Sequence, residues 1–550
     1  MMGTGLARGA SDDVVTAKRA PNMEHARLGP LVTLITLAAL GCGGDDADGT
    51  VADSSTVDST ALDTTAEVTV DTSVGDVADE VDSSVSEAGP TQLCGTCHAT
   101  YMAKLDAGKH KGLKTRCLDC HKDALAHQAD PANVKVKLDF SLDLCATCHA
   151  DQKTQFLHDD GKKAGKYGGS IKTSKYLDFP SYKHLMGGHG FTIEYNEERA
   201  HAYALKDHIE IPRKQNAVCL QCKSSPVTYF WGEMRRGQPT FGKDISWADS
   251  ITKIKDNYPT TIDHGTSCNH CHDPHTGRFR LIRKQMINAI LERGTDPYEA
   301  TYNFVPKTPA ELEDKLNERG TDGKLTANAR RLVGTLTCAQ CHVEYTCGPG
   351  VDKTVLRDDF PWRKLRDIEA YYKVKYDNVQ DWVHSGTGTK AIKAQHPETE
   401  FFWESKHYKS GATCMDCHMG TTEVGKPRSH WFTSPLKQPD KNCGSSACHG
   451  ALATEWAAKV VPMQDVVMTQ AKTVELGLDA VLTKIEALNI SGYDAAKLAQ
   501  AKDHFTKGLL WWEFTVVSEN SAGFHNPQEA KTNLDTAQAQ IDAAKVLLGM

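Results

Sequence analysis

Six times the chain places two cysteines, separated by two residues, directly before a histidine: Cys94/Cys97/His98, Cys117/Cys120/His121, Cys145/Cys148/His149, Cys268/Cys271/His272, Cys338/Cys341/His342 and Cys414/Cys417/His418. A seventh run, Cys443-Gly-Ser-Ser-Ala-Cys448-His449, puts four residues between the cysteines. Cysteines so spaced bond the edge of a porphyrin through two thioethers while the histidine takes the iron, the attachment of a c-type haem. Cys/His clusters also bind zinc, but a histidine directly after the second cysteine, six times over, is the haem pattern. An eighth run, Cys219-Leu-Gln-Cys222-Lys223, carries lysine in the place of that histidine. Eight covalent haems are therefore expected.

The lysine changes what the eighth iron can do. Imidazole on both faces closes an iron and suits it to electron transfer, whereas a catalytic haem keeps one face open. Lysine ligates only as the neutral amine, against a solution pKa of about 10.4, and desolvation favours that uncharged form. A Cys219–Cys222 disulfide with Lys223 incidental is the competing reading of the stretch. Of the 24 histidines, seven follow motif cysteines and His25 lies in the leader. Enough remain for a second imidazole on each of the other seven irons, with His110, His127 and His158 the candidates near the first three motifs.

The elements that position these groups are helical: the expected fold is a mainly α multihaem c-type cytochrome with little β structure. Residues 93–180 hold three closely spaced motifs with Gly- and Lys-rich connections, predicting a small module cored mostly by porphyrin. Residues 181–450 hold the other five motifs among helices and long loops. Residues 451–550 differ. Val467, Ala471, Val474, Leu478, Val481, Ile485 and Leu488 alternate steps of four and three, and Ala530, Leu534, Ala537, Ile541, Ala544 and Leu548 repeat the pattern, a heptad seam. Asn526-Pro527-Gln528-Glu529 reads as a helix start, and a further helix is expected near 494–518. The tail is thus predicted to be long antiparallel helices, with the seam serving either the monomer's core or a subunit interface.

The chain has 550 residues, 18 cysteines and a formal charge of -8. Outside the motifs stand only Cys42 and Cys347. Covalent haem and this cysteine density point outside the cytoplasm. Residues 28–40 form an apolar run after Arg27, too short for a bilayer and right for a signal-peptide core, with Met23 a candidate start. The run ends Ala39-Leu40-Gly41-Cys42, which resembles a lipoprotein cleavage box, so residues 1–42 read as a signal with Cys42 lipidated; ordinary cleavage nearby is the alternative. Residues 43–92 hold thirteen acids and no Lys or Arg, the composition of a disordered tether. The remaining polypeptide is mildly basic, and no nucleic-acid motif is present.

Three stretches carry a family resemblance. Arg199-Ala-His201-Ala-Tyr203-Ala, upstream of the lysine motif, resembles an Arg-Gly-His-x-Tyr-Ala segment of the pentahaem cytochrome c nitrite reductases, which make ammonium from nitrite. Cys338-Ala-Gln-Cys341-His342-Val-Glu344-Tyr345 and Lys393-Ala-Gln395-His396-Pro397-Glu398 resemble that family's haem-plus-Glu-Tyr and Lys-x-Gln-His-Pro-Glu segments. Three further haem motifs in front make the octahaem nitrite reductases the nearer resemblance, over roughly residues 93–550. Ala200 departs from the family's glycine, and the stretched Cys443 motif departs from its spacing.

The resemblance implies Lys223 as proximal ligand of the catalytic haem, with Arg199, Tyr345 and His396 in the pocket. It implies a Ca²⁺ ion on Glu344, Gln395 and the carbonyls of Tyr345 and Lys393. His407, His430 and His525 fall where the family places distal ligands, and Tyr345 and Cys347 match a covalently joined pair; a lone thiol is the alternative. The implied reaction takes nitrite to ammonium, with hydroxylamine and sulfite as further substrates. Arg199 would hold the anion, and His396, then Tyr345, would donate protons. An external donor is implied, quinol-linked or a small cytochrome. The implied setting is a periplasmic or cell-envelope lipoprotein, held to a membrane through Cys42 and assembled as a homo-oligomer. A hydroxylamine-oxidising octahaem enzyme and a non-enzymatic electron conduit are the alternatives. Lys223 argues against the first and the pocket residues against the second.

Overall fold

The tail seam is buried as its periodicity requires. The computed structural model describes residues 90–113, 115–134, 136, 138–157, 170–171, 178–190, 198–199, 201–205, 217–226, 228–229, 265–345, 360–376, 382–421, 428–490, 492–517 and 520–550. The leader with Cys42, the acidic segment before residue 90, His158 and Cys347 lie outside them. Three long helices, Val460–Ile490, Ala495–Trp512 and Pro527–Leu548, form an up-down-up bundle. Tyr493 at the start of the second donates to the Leu547 carbonyl at the end of the third, 2.7 Å away, so these two run antiparallel. Every seam residue named above is buried except Leu488, which is partly buried. The seam is therefore filled within the monomer. It packs on Phe179, Tyr182 and Leu185, on Ile368 and Tyr372 of the helix Leu365–Tyr376, and on Ala394 and Phe401.

Caps set the helix starts as expected. The Asn526 side chain accepts from Glu529 N–H with Pro527 in the first turn, and Asp494 accepts from Ala496 and Lys497 N–H. The middle helix differs from the expected 494–518. It stops at Trp512 and continues as a π-turn, Glu513–Val517. Such turns cluster at functional sites.

A second core lies under the later motifs. Met286, Ile287 and Ile290 of the helix Lys284–Arg293 meet Leu332, Val333 and Leu336 of the helix Ala327–Ala339. Tyr345, Phe360, Trp362 and Trp403 complete it. Strand structure among the described residues is slight: antiparallel pairs of Ser170–Ile171 with Glu198–Arg199 and of Trp382–Val383 with Lys390–Ala391. The front segment, residues 90–157, is short helices with few buried apolar side chains, chiefly Leu105, Ala124, Phe140 and Leu142. It leans on the loop after the fifth motif, where Lys109 N–H donates to the Thr276 carbonyl at 3.0 Å.

Candidate active site

Lys223 closes the helix Ala217–Lys223. The motif is tied down from outside. Thr266 Oγ1 donates to the Cys222 carbonyl at 3.3 Å, and Thr266 N–H donates to the His201 carbonyl at 3.2 Å. Gly265 makes that approach possible: at φ +60, a Cβ there would meet Leu205 N, His201 O and Lys223 O at 2.9–3.1 Å. Cys222 is in no disulfide, against the disulfide reading of this stretch. Its Sγ receives Arg283 Nη1 at 2.9 Å.

The two other resemblance segments meet beside this motif. Thr399 N–H donates to the His342 carbonyl at 3.2 Å, and Glu344 N–H donates to both Glu400 oxygens at 3.2 Å. The short helix Glu398–Phe402 is thereby clasped to residues 342–345. Glu398 Oε1 stands 3.7 Å from His342 Nδ1 and 3.8 Å from His396 Nδ1. Burial opposes its ionisation, but the two imidazoles outweigh burial and hold Glu398 well below the usual carboxylate range. Tyr345 is buried, with the Arg283 guanidinium 4.6 Å from its ring centre. The charges of Arg283, His396 and His342 all bear on Cys222. Lys223's motif, Tyr345 and His396 are thus brought together. Arg199 is described by its backbone, paired with Ser170.

The histidines can be tested for haem. A metal–imidazole bond of about 2.0 Å, with the ring centre about 1.1 Å beyond, puts imidazoles on opposite faces of one metal about 6.3 Å apart, whereas two corners of a tetrahedral zinc site stand about 5 Å apart. The rings of His98 and His127 are 6.1 Å apart. His121 and His275, His149 and His110, His342 and His201, His418 and His525, and His449 and His407 each stand at 6.3 Å. For His272, burial and then the charge of His430 push its pKa down to about 4, so the two imidazoles lie within electrostatic reach.

Metal-bound histidines fix their other nitrogen on a carbonyl or carboxylate, and four of these do. Nδ1 of His110, His127, His418 and His430 lies 2.6–3.1 Å from the carbonyls of Pro274, Val134, Thr433 and Arg428. Two other pairs have the spacing. His184 and His384 stand 6.2 Å apart, but both His184 nitrogens are taken by Asp479 and Glu486. His342 and His396 stand 6.3 Å apart with Glu398 on the Nδ1 side of each, so His201 and His396 both have the spacing to face His342. The residues fit haem.

Motif cysteines also touch across motifs. Cys94 and Cys117, Cys145 and Cys268, Cys341 and Cys222, and Cys338 and Cys414 each lie close enough to bear on the other's ionisation. Electrostatic coupling joins Cys120 to Cys145, Cys271 to Cys338 and Cys417 to Cys443. The attachment sites therefore form one connected series from the first motif to the last. The lysine motif branches from the Cys338/Cys341 motif.

The front segment carries its attachment cysteines near the polypeptide surface. Cys97 and Cys148 are exposed, as are Cys120 and Cys448. The Sγ atoms of Cys97 and Cys148 meet the hydroxyls of their own neighbours, Thr96 at 3.9 Å and Thr147 at 4.0 Å. The short helices carry few buried apolar side chains, and in each front motif the first cysteine is partly sheltered while the second is exposed. A thioether needs reach and not burial, so Cys97 and Cys148 keep the attachment spacing.

The expected calcium residues converge. Glu344 is fully buried and accepts from Gln395 N–H at 2.7 Å and Tyr372 O–H at 3.0 Å. Gln395 Nε2 donates to the Lys393 carbonyl at 3.0 Å, and turning the amide over would present its oxygen instead. Burial raises Glu344 well above the usual carboxylate range and pushes Glu400 up to about 8. Two adjacent buried carboxylates among oxygen donors fit a hard divalent cation. Lys393 Nζ is held 3.6 Å from Glu513 Oε1 of the π-turn, and Glu513 Oε2 accepts from Ala394 N–H at 3.3 Å.

His201 and His275 as second-face imidazoles, and Glu398, Glu400 and Glu513 around the pocket, were not assigned from sequence. His201 sits inside a segment singled out for its arginine. His275 follows a motif histidine by three residues, and nothing local says which iron it faces.

Attachment motifs, imidazoles spaced for opposite faces of one iron and a helical scaffold define a multihaem c-type cytochrome. The family description "Cytochrome c552" matches residues 155–550. The chain is 32% identical over 406 residues to the cytochrome c nitrite reductase subunit NrfA of Nitratidesulfovibrio vulgaris, covering 67% of this chain and 68% of that one. It is 30% identical over 395 residues to a cytochrome c-552 of Aliarcobacter butzleri, covering 66% and 69%. Its fold is similar to that of cytochrome c nitrite reductase from Desulfovibrio desulfuricans, with a TM-score of 0.57 at 24% identity over 74% of this chain and 86% of that one. The chain belongs to the cytochrome c552 family.

Proposed function

We propose that this protein is an eight-haem nitrite reductase that forms ammonium at the Lys223 haem. The observation that carries the reading is the lysine motif standing beside Tyr345 and within the field of His396, branching from a connected series of histidine motifs. The name of the N. vulgaris relative supports nitrite as substrate. Nitrite with six electrons and eight protons gives ammonium and two waters. Haem iron, when bound, supplies the electrons and the place where the oxyanion is reduced.

The chain's own residues do the rest. Arg199 holds the anion through charge-assisted hydrogen bonds. His396 delivers protons, oriented by the Glu398 carboxylate on its Nδ1. Tyr345 is the second donor, and a bond to Cys347 would fix its ring. Glu344, Gln395 and the carbonyls of Lys393 and Tyr345 hold calcium, a reading supported by the two calcium sites named for the D. desulfuricans enzyme. Hydroxylamine and sulfite are further substrates. The enzyme is exported, anchored by lipid on Cys42, assembled as a homo-oligomer and fed by a quinol-linked or small-cytochrome donor.

Reduced viologen provides the test. Ammonium should appear in proportion to nitrite consumed. Turnover only of hydroxylamine with an added oxidant would make this a hydroxylamine-oxidising enzyme, and no turnover would make it a conduit.

A further inference from the structure

Arg283 belongs to none of the motifs, yet it stands where two of them meet. It is 2% exposed and immediately precedes the helix Lys284–Arg293. Its backbone N–H and that of Ile282 donate to Gln340 Oε1 at 3.2 and 2.7 Å. Its Nη1 donates to the Gln340 carbonyl at 2.7 Å and to Cys222 Sγ at 2.9 Å. The guanidinium carbon lies 4.6 Å from the centre of the Tyr345 ring and 4.4 Å from that of Phe360. One side chain thus touches the attachment arm of the lysine-motif haem, the neighbouring haem motif and the face of the pocket tyrosine.

The guanidinium is in an unusual electrical position. Arginine stays protonated in a protein, and a buried cation is costly unless paired. Among the described residues no carboxylate pairs with this one, and its Nε is buried without a hydrogen-bond partner. Its surroundings are two π faces, a sulfur and a carbonyl. π faces stabilise a desolvated cation without cancelling its charge. The positive field therefore extends into the space between Cys222 and Tyr345. Arginine also differs from lysine here, because only a planar group can lie against a ring while donating to two acceptors.

We propose that Arg283 is a positioning and charge-setting residue of the nitrite pocket: its permanent cation favours the substrate anion and electron density at the Lys223 haem, while its plane holds the Tyr345 ring. This rests on the nitrite-reductase reading and adds to it a second arginine, placed behind the pocket. A unit charge about 10 Å from the substrate, at an effective dielectric of about 20, changes anion affinity about tenfold.

The test uses the full-length, haem-loaded protein with Arg283→Met and Arg283→Lys. Haem content and the low-spin signals report folding. Arg283→Met should raise the KM for nitrite about tenfold and leave that for hydroxylamine, which is neutral, within about twofold. It should also lower the reduction potential of the high-spin haem, and of the others only that of its Cys338/Cys341 neighbour. Arg283→Lys should keep the potential and the nitrite KM but lower kcat, because the tyrosine ring loses its support. Equal KM changes for both substrates, or a wild-type potential in Arg283→Met, would overturn the proposal. Should Arg283→Met not load haem, Arg283→Lys decides: an unchanged kcat in that variant would overturn the positioning role. The potential is readable without turnover, so failure here is distinct from a wild-type protein that does not reduce nitrite.

Discussion

At the scale of single residues, the chemistry turns on which side chain ends each attachment motif. Lys223 differs from the seven histidines by one position in a repeated pattern. Replacing it with histidine should retune the iron and cost about two orders of magnitude in nitrite turnover, measured with reduced viologen; an unimpaired Lys223→His would remove the lysine from the argument. His396→Asn should slow turnover about a hundredfold while leaving nitrite KM nearly unchanged, the split expected when a proton donor is lost rather than a binding group. The buried carboxylates give a pH prediction. Glu400 lies at about 8 against an ordinary 4.5, raised by burial, and Glu344 is raised in the same direction. A carboxyl raised by folding contributes stability at low pH and loses it as pH climbs from about 4.5 to about 8. Calcium would offset that loss by pairing the ionised form. Chelation should therefore lower Tm by about 5 °C or more above pH ~8 and by little near pH ~5. A chelator effect equal at both ends would remove these carboxylates from the metal site.

At the scale of elements, the tail bundle is held by its seam and reaches the site through one turn. Leu478 is fully buried in the first long helix and faces Gly508 of the second. Leu478→Ala should cost about 3 kcal/mol, read from denaturant unfolding; a cost below about 1 kcal/mol would mean that the seam is not the bundle's core. The π-turn Glu513–Val517 is where the bundle meets the candidate site, because it turns Glu513 toward Lys393 and Ala394. The heptad pattern was legible because burial on one face of a helix repeats every three or four residues. The π-turn was not, because one extra residue in a helical turn leaves the composition unchanged.

At the scale of the whole molecule, the front segment and the later motifs are stitched by paired histidines. His275, from the loop after the fifth motif, faces His121 of the second, and His110 of the front segment faces His149 while its Nδ1 meets Pro274. His275→Ala should convert one low-spin centre to high-spin in the electronic or magnetic spectrum. An unchanged spectrum would mean that the second motif takes its ligand elsewhere.

Cysteine spacing, the lysine at 223 and the seam of the tail were determined by sequence alone, because thioether attachment and helical periodicity are local. The Arg199, Tyr345 and His396 segments were legible as motifs. Which histidine faces which iron was not, since the two imidazoles on one metal come from segments far apart in the chain and only their spacing in space pairs them. The tertiary structure likewise decided Arg283, Glu398 and Glu513: each acts by standing against groups from other elements, and a buried arginine or glutamate carries no mark in the sequence of what it will be buried against.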